Sequence, residues 1–155
     1  MKTELAPELI VSKWLNTDTP LTLQKLSGKV VVIYAFQMLC PGCVAKAIPQ
    51  AASVHALFSN HPLQVIGLHT VFEHHNAMGQ EALEAFIHEY RIEFPVAIDA
   101  PSETKVAAPK TMQLYGMQGT PTVIMIDKNG ILRKNAFGHQ DDMIIGAEIM
   151  ALLKE

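Results

Sequence analysis

The chain has 155 residues, with 12 Lys or Arg and 15 Asp or Glu, so its formal net charge is −3 when the histidines are neutral. It is 49% hydrophobic and 17% charged, a composition that excludes a disordered chain. It has no acidic or basic tail, which argues against a nucleic-acid partner. The length is that of one domain with a sizeable core, so we predict a single domain over residues 1–155.

The apolar segments are too short for export or for a membrane span. The longest nearly uninterrupted apolar stretch is residues 30–40, whereas a spanning helix needs about 20 residues. Residues 1–10 contain no apolar run of the length that a secretory signal requires. We therefore expect a cytoplasmic protein, in which two cysteines are more typical of catalysis or metal binding than of a disulfide scaffold.

The first predicted elements form a βαβ unit. Residues 30–36 are β-branched and uniformly apolar, which is typical of a strand buried on both faces. Apolar residues at helical spacing follow from Val44 to Phe58, and the helix should end at Asn60 and kink at Pro49, which lacks an N–H donor. Residues 63–68 predict a second strand, which gives the unit a right-handed crossover.

The second half of the chain predicts further helices and strands around a mixed α/β sheet. Asn129-Gly130 between two strand-like runs is a strong hairpin signal, so the last two strands should be antiparallel. The predicted elements are a helix with Leu83, Phe86, Ile87 and Tyr90 on one face, a strand at 95–98, a helix at 110–115, strands at 122–126 and 131–137, and a last helix capped by Asp141 or Asp142.

Both cysteines lie in Cys40-Pro41-Gly42-Cys43, where the first buried strand gives way to a helix. Free N–H groups and the positive dipole end of the helix should stabilise a Cys40 thiolate. Cys43 lies one turn further on, close enough to attack a mixed disulfide on Cys40, and Pro41 and Gly42 suit the turn. A structural zinc site needs four ligands, and the chain has no second pair of suitable spacing. This context predicts a redox motif.

Two motifs in this chain resemble those of thioredoxin-like proteins. Residues 34–43 are similar to the strand and active-site turn of that superfamily, and residues 118–122 are similar to its cis-proline loop. Residues 21–29, 94–99 and 126–130 resemble the TlpA-like, or redoxin, branch. The resemblance covers about residues 20–150, and its specific part is the pair of active-site motifs.

The resemblance implies a thioredoxin fold with an N-terminal extension and a helix–strand insertion at about residues 79–99. It implies a thiol:disulfide oxidoreductase with Cys40 as nucleophile and Cys43 as resolving thiol. It also implies a cis Pro121 beside the disulfide, with a substrate site formed by Pro41, Gly42, Thr120 and Pro121. We expect no cofactor beyond the redox-active disulfide. We also expect a protein substrate, an upstream electron donor and a monomeric protein.

The chain departs from the pattern of its relatives at several positions. Leu39 replaces the tryptophan that most relatives carry before the first cysteine, and Pro49 lies six residues after Cys43 where many have five. Tyr34 and Lys46 stand where the buried acid of many thioredoxins and the helix acid of some TlpA-like proteins would fall. The sequence therefore names no proton acceptor for Cys43. Relatives of this branch are usually exported or membrane-tethered.

Two other functions remain as alternatives. His69, His74 and His75 fall in one predicted loop and could bind a metal together with the cysteines, although a solvated polar loop is the more common interpretation. The segment around Cys40 also resembles that of peroxiredoxins. That family has a threonine three residues before the cysteine and a proline seven before it, and here those positions are Gln37 and Ile33, so peroxidase chemistry is the weaker hypothesis.

Overall fold

A six-stranded mixed sheet forms the centre of the molecule, which is known from a computed structural model that describes residues 4–104 and 106–155. The strand order is β1-β4-β3-β2-β5-β6, and the predicted mixed sheet is confirmed. The strands are β1 Val11–Leu15, β2 Val30–Phe36, β3 Leu63–His69, β4 Val96–Asp99, β5 Thr122–Ile126 and β6 Leu132–Phe137. The helices are α1 Ile48–Leu57, α2 Gln80–Glu89, α3 Lys110–Leu114 and α4 Asp142–Lys154.

Strand β2 lies at the centre of the core because all seven of its residues are buried. It pairs parallel with β3 and antiparallel with β5. Its even-numbered residues pack with α1 and α4 on one face of the sheet, and its odd-numbered residues pack with α3 on the other. The carboxyl end of β2 therefore lies in the middle of the sheet, and the cysteine motif follows directly.

The helix after the cysteines differs from the prediction. Residues Cys43–Ala47 form a π-helical turn, in which the Ile48 N–H donates to the Cys43 carbonyl, and α1 begins only at Ile48. Pro49 thus lies in the first turn of α1, where a missing N–H is tolerated. The helical segment thus changes type before Pro49, where the sequence predicts one continuous helix. Helix α1 ends at Leu57, three residues before the predicted Asn60.

The other predicted elements agree with the structure within a residue or two at their ends. Helix α2 and strand β4 form the expected helix–strand insertion, and Asp141 caps α4 by accepting hydrogen bonds from the Met143 and Ile144 N–H groups. Strand β1, which pairs antiparallel with β4, was not predicted from the sequence. Among residues 4–104 and 106–155, no helix combines the length and the apolar character needed to span a membrane.

Candidate active site

The two cysteine side chains meet at the carboxyl end of β2 with very different exposure. Cys40 is partly exposed, whereas Cys43 is 0% exposed, and both are free thiols. The Cys43 N–H donates a hydrogen bond to Cys40 Sγ at 3.3 Å. The Cys40 thiol in turn donates to the Thr120 carbonyl at 3.6 Å. The first cysteine of the motif is therefore partly open to solvent, whereas the second is closed to it.

Burial raises the pKa of the Cys43 thiol to about 12. Its hydrogen bond with the Cys40 side chain also raises this pKa, while hydrogen bonds with the Gln37 backbone and the Thr120 side chain oppose the shift. Desolvation outweighs them because a thiolate loses its hydration in an apolar site. Cys43 is therefore a protonated thiol at neutral pH.

The loop around Pro121 packs directly against the cysteine turn. The Thr120–Pro121 peptide bond is cis. A Cβ atom placed on Gly42 would lie 3.6 Å from Pro121 Cδ, so the proline ring faces the turn. Gly119 lies under the ring of Phe137, which would be only 2.9 Å from a Cβ at that position. The structure thus brings Cys40, Cys43, Gly42, Thr120 and Pro121 together, with Pro41 exposed at the rim.

Tyr34 lies in a hydrogen-bonded network at the position of the acid found in many thioredoxins. Its hydroxyl donates to Gln50 Oε1 at 3.1 Å. The Gln50 amide donates to the Gln140 carbonyl at 2.7 Å and to Asp142 Oδ1 at 2.6 Å. Burial raises the pKa of the phenol above its usual range, and the charge of Asp142 adds to the shift. The phenol is therefore a hydrogen-bond donor, and Lys46 is exposed on the π-helical turn.

The three histidines that the sequence places in one loop do not share an environment. His74 and His75 lie in the segment after β3, His74 exposed and His75 partly so. The solvated-loop interpretation is wrong for His69, which is the last residue of β3 and is 1% exposed. The alternation of β3 extends to His69 and directs its side chain into the core. Within the described ranges, no group of three or more His, Cys, Asp or Glu side chains could hold a metal ion.

Sequence reasoning missed the structural role of Gln37. The residue is buried, its Oε1 accepts from the Phe72 N–H at 3.1 Å, and its amide donates to Glu73 at 3.4 Å. At the position of the peroxiredoxin threonine, the structure thus has an amide that is already hydrogen-bonded to protein groups. Ile33, at the position of the peroxiredoxin proline, is buried in β2.

Comparison with known proteins identifies the class to which this fold and dithiol belong. The Redoxin family model matches residues 2–145, so the chain belongs to the redoxin family, a thioredoxin-like family that includes thiol-disulfide oxidoreductases. The thioredoxin fold implied by the sequence motifs is confirmed. The family is thus the one that the cysteine turn and the proline loop indicate.

Particular relatives support this assignment along nearly the whole chain. A thioredoxin-like superfamily protein of known crystal structure is 54% identical in sequence to this chain, with a TM-score of 0.93 and 97% of each chain covered. A thiol-disulfide isomerase from Corynebacterium glutamicum is 46% identical, with a TM-score of 0.93, and covers 99% of this chain and 97% of its own. Protein DipZ from Mycobacterium tuberculosis is 29% identical over 154 residues, which are 97% of this chain but only 21% of DipZ. The chain thus spans about a fifth of that curated relative.

Proposed function

We propose that this chain is a thiol:disulfide oxidoreductase that alternates between a Cys40–Cys43 dithiol and a disulfide. The observation that carries the proposal is the pairing of a partly exposed Cys40 with a buried Cys43, whose N–H donates to the Cys40 sulfur at 3.3 Å. An exposed thiol can reach a substrate, and a buried neighbour is protected until the first sulfur has reacted.

The reaction has two exchange steps. The Cys40 thiolate attacks a substrate disulfide, forms a mixed disulfide with one substrate sulfur and releases the other as a thiolate. Cys43 then loses its proton and attacks Cys40 Sγ, which forms the Cys40–Cys43 disulfide and releases the second substrate thiol. The substrate gains two electrons and the dithiol loses two, and an upstream donor must reduce the enzyme again. Run in reverse, the same steps oxidise a dithiol substrate.

The support for a protein substrate is the shape of the site. Thr120 and Pro121 are partly exposed beside Cys40, and the proline nitrogen has no N–H. An extended substrate segment can lie along this loop next to the sulfur. The dithiol carries the electrons itself, so the proposed reaction needs no prosthetic group. We further propose that the protein acts as a cytoplasmic monomer.

A protein-disulfide reduction assay tests the proposal. The wild type should accelerate the reduction of insulin by dithiothreitol, and Cys40→Ser should abolish the acceleration. Cys43→Ser, which changes the same atom type three residues away, should lose turnover but keep the first exchange step. Wild-type rates in Cys40→Ser would overturn the proposal. Peroxide consumption without insulin reduction would favour the peroxidase alternative, and stoichiometric metal with no exchange activity would favour the metal-binding one.

A further inference from the structure

Residues 69–72, at the end of β3 and directly after it, hold residues 36–38, which lie shortly before the cysteine turn. Residues 36–38 each make one hydrogen bond to residues 69–72, and the partners come from both main chain and side chain. The bonds are Thr70 N–H to the Phe36 carbonyl at 3.1 Å, Phe72 N–H to Gln37 Oε1 at 3.1 Å, and Met38 N–H to His69 Nε2 at 3.4 Å.

His69 is a buried titratable side chain that the exchange steps do not use. It is 1% exposed, and its ring lies 5.1 Å from the ring of Phe36, centroid to centroid. Burial lowers the pKa of its imidazole to about 4, so the ring is neutral at physiological pH. A neutral imidazole has one ring nitrogen that can accept a hydrogen bond, and here the Met38 N–H donates to Nε2.

The main chain next to Met38 is hydrogen-bonded to the cysteine turn. The Gln37 carbonyl accepts from the Cys40 N–H at 3.1 Å. Burial raises the pKa of the Cys43 thiol most strongly, and the Gln37 backbone acts against that rise. A shift of the Gln37–Met38 segment would therefore move Cys40, whose sulfur accepts a hydrogen bond from the Cys43 N–H.

We propose that His69 is a positioning residue for the exchange reaction: its Nε2 fixes the Gln37–Met38 segment and so sets the geometry in which Cys43 attacks Cys40. The inference rests on the proposed function, because it concerns the second step of that reaction. Attack on a disulfide needs close alignment of the reacting sulfurs, and a misplacement of about 1 Å can cost on the order of 100-fold in rate. The second step, more than the first, should depend on His69.

The test follows the reaction of the reduced protein with oxidised glutathione by acid quench and mass spectrometry. Cys40 first forms a mixed disulfide and releases one glutathione, at a rate proportional to the glutathione disulfide concentration. Cys43 then closes the protein disulfide and releases the second glutathione at a rate that does not depend on this concentration. The plateau rate at high concentration therefore measures the step that His69 should control.

Three histidine variants separate positioning from packing. In His69→Gln the side-chain oxygen can accept from the Met38 N–H, so the plateau rate should stay within about threefold of wild type. His69→Leu keeps an apolar body without an acceptor, and its plateau rate should fall at least about tenfold. His88→Leu, the same change at an exposed position on α2, is the matched control and should leave the rate unchanged.

The outcomes distinguish this inference from the proposed function. A purely structural role would lower the urea midpoint of His69→Leu and leave its plateau rate at the wild-type value, which would overturn the inference. If the wild type forms no mixed disulfide, the proposed function itself fails. If His69→Leu does not fold, His69→Phe decides, since it keeps a ring beside Phe36 and removes the nitrogen that accepts from the Met38 N–H. A folded His69→Phe variant with the wild-type plateau rate would overturn the inference.

Discussion

The burial of Cys43 predicts a large difference in thiol reactivity within one four-residue motif. At pH 8, a thiol with the pKa of about 12 found for Cys43 is ionised to about one part in 10⁴. An unperturbed cysteine with a pKa of about 8.5 is ionised to about one quarter at that pH. Because the thiolate is the reacting species, Cys43 should be alkylated on the order of 1,000-fold more slowly than an ordinary cysteine, while the accessible Cys40 reacts readily.

The assay is a timed iodoacetamide reaction of the reduced protein at several pH values, with the two cysteines distinguished by peptide mass spectrometry. The rate at Cys43 should rise about tenfold per pH unit across pH 7–9 and stay far below the rate at Cys40. The same reaction in urea is the control, because both thiols should then react at similar rates. Equal alkylation rates at Cys40 and Cys43 in the folded protein would show that burial does not suppress the reactivity of Cys43.

Three further predictions concern buried polar groups and packing, and all are measured by urea unfolding. Tyr34→Phe leaves Gln50 Oε1 without its phenol donor, so the free energy of unfolding should fall by about 1–3 kcal/mol. An unchanged free energy of unfolding would contradict the importance of this hydrogen bond. Gly67→Ala would place a methyl group 3.1 Å from the nearest aromatic ring atom and should cost about 1–3 kcal/mol. Gly146→Ala, within α4 and with open space around it, should instead stabilise by about 0.5–1 kcal/mol, and equal effects would contradict the packing argument. Burial raises the pKa of Asp99. The stability that comes from its protonation should therefore be present below the unfolded pKa of about 3.9 and lost as the pH rises through the folded value. Asp99→Asn should remove this dependence of stability on pH. An unchanged dependence of the free energy of unfolding on pH in the variant would contradict the role of Asp99.

The sequence could predict the elements and residues whose signals are local. β2 is a continuous apolar run, so its central place in the sheet follows from composition alone. The cysteine turn and the Thr120-Pro121 loop each form a short motif, and the fold brings them together. Their order in the chain was enough for the resemblance to predict the thioredoxin fold.

The features that the sequence did not predict depend on packing between distant residues. β1 is an edge strand whose Ser12 and Lys13 are both exposed, so it lacks the apolar alternation of a half-buried strand. The π-helical turn buries Cys43 and Ala47, and helical periodicity does not report the packing that favours this turn. His69 lies next to polar loop residues in sequence, and only the full length of β3 directs it inward. Gln50 occurs in a helix pattern that does not distinguish a buried glutamine from an exposed one.

The central claim is that Cys40 forms the mixed disulfide and Cys43 resolves it. The most direct measurement is the intact mass of reduced Cys43→Ser and Cys40→Ser after exposure to oxidised glutathione at neutral pH, with peptide mapping of any adduct. The account predicts one stable glutathione adduct on Cys40 in Cys43→Ser and little or no adduct on the buried Cys43 in Cys40→Ser. Equal adducts in the two variants, or a stable adduct only in Cys40→Ser, would contradict it.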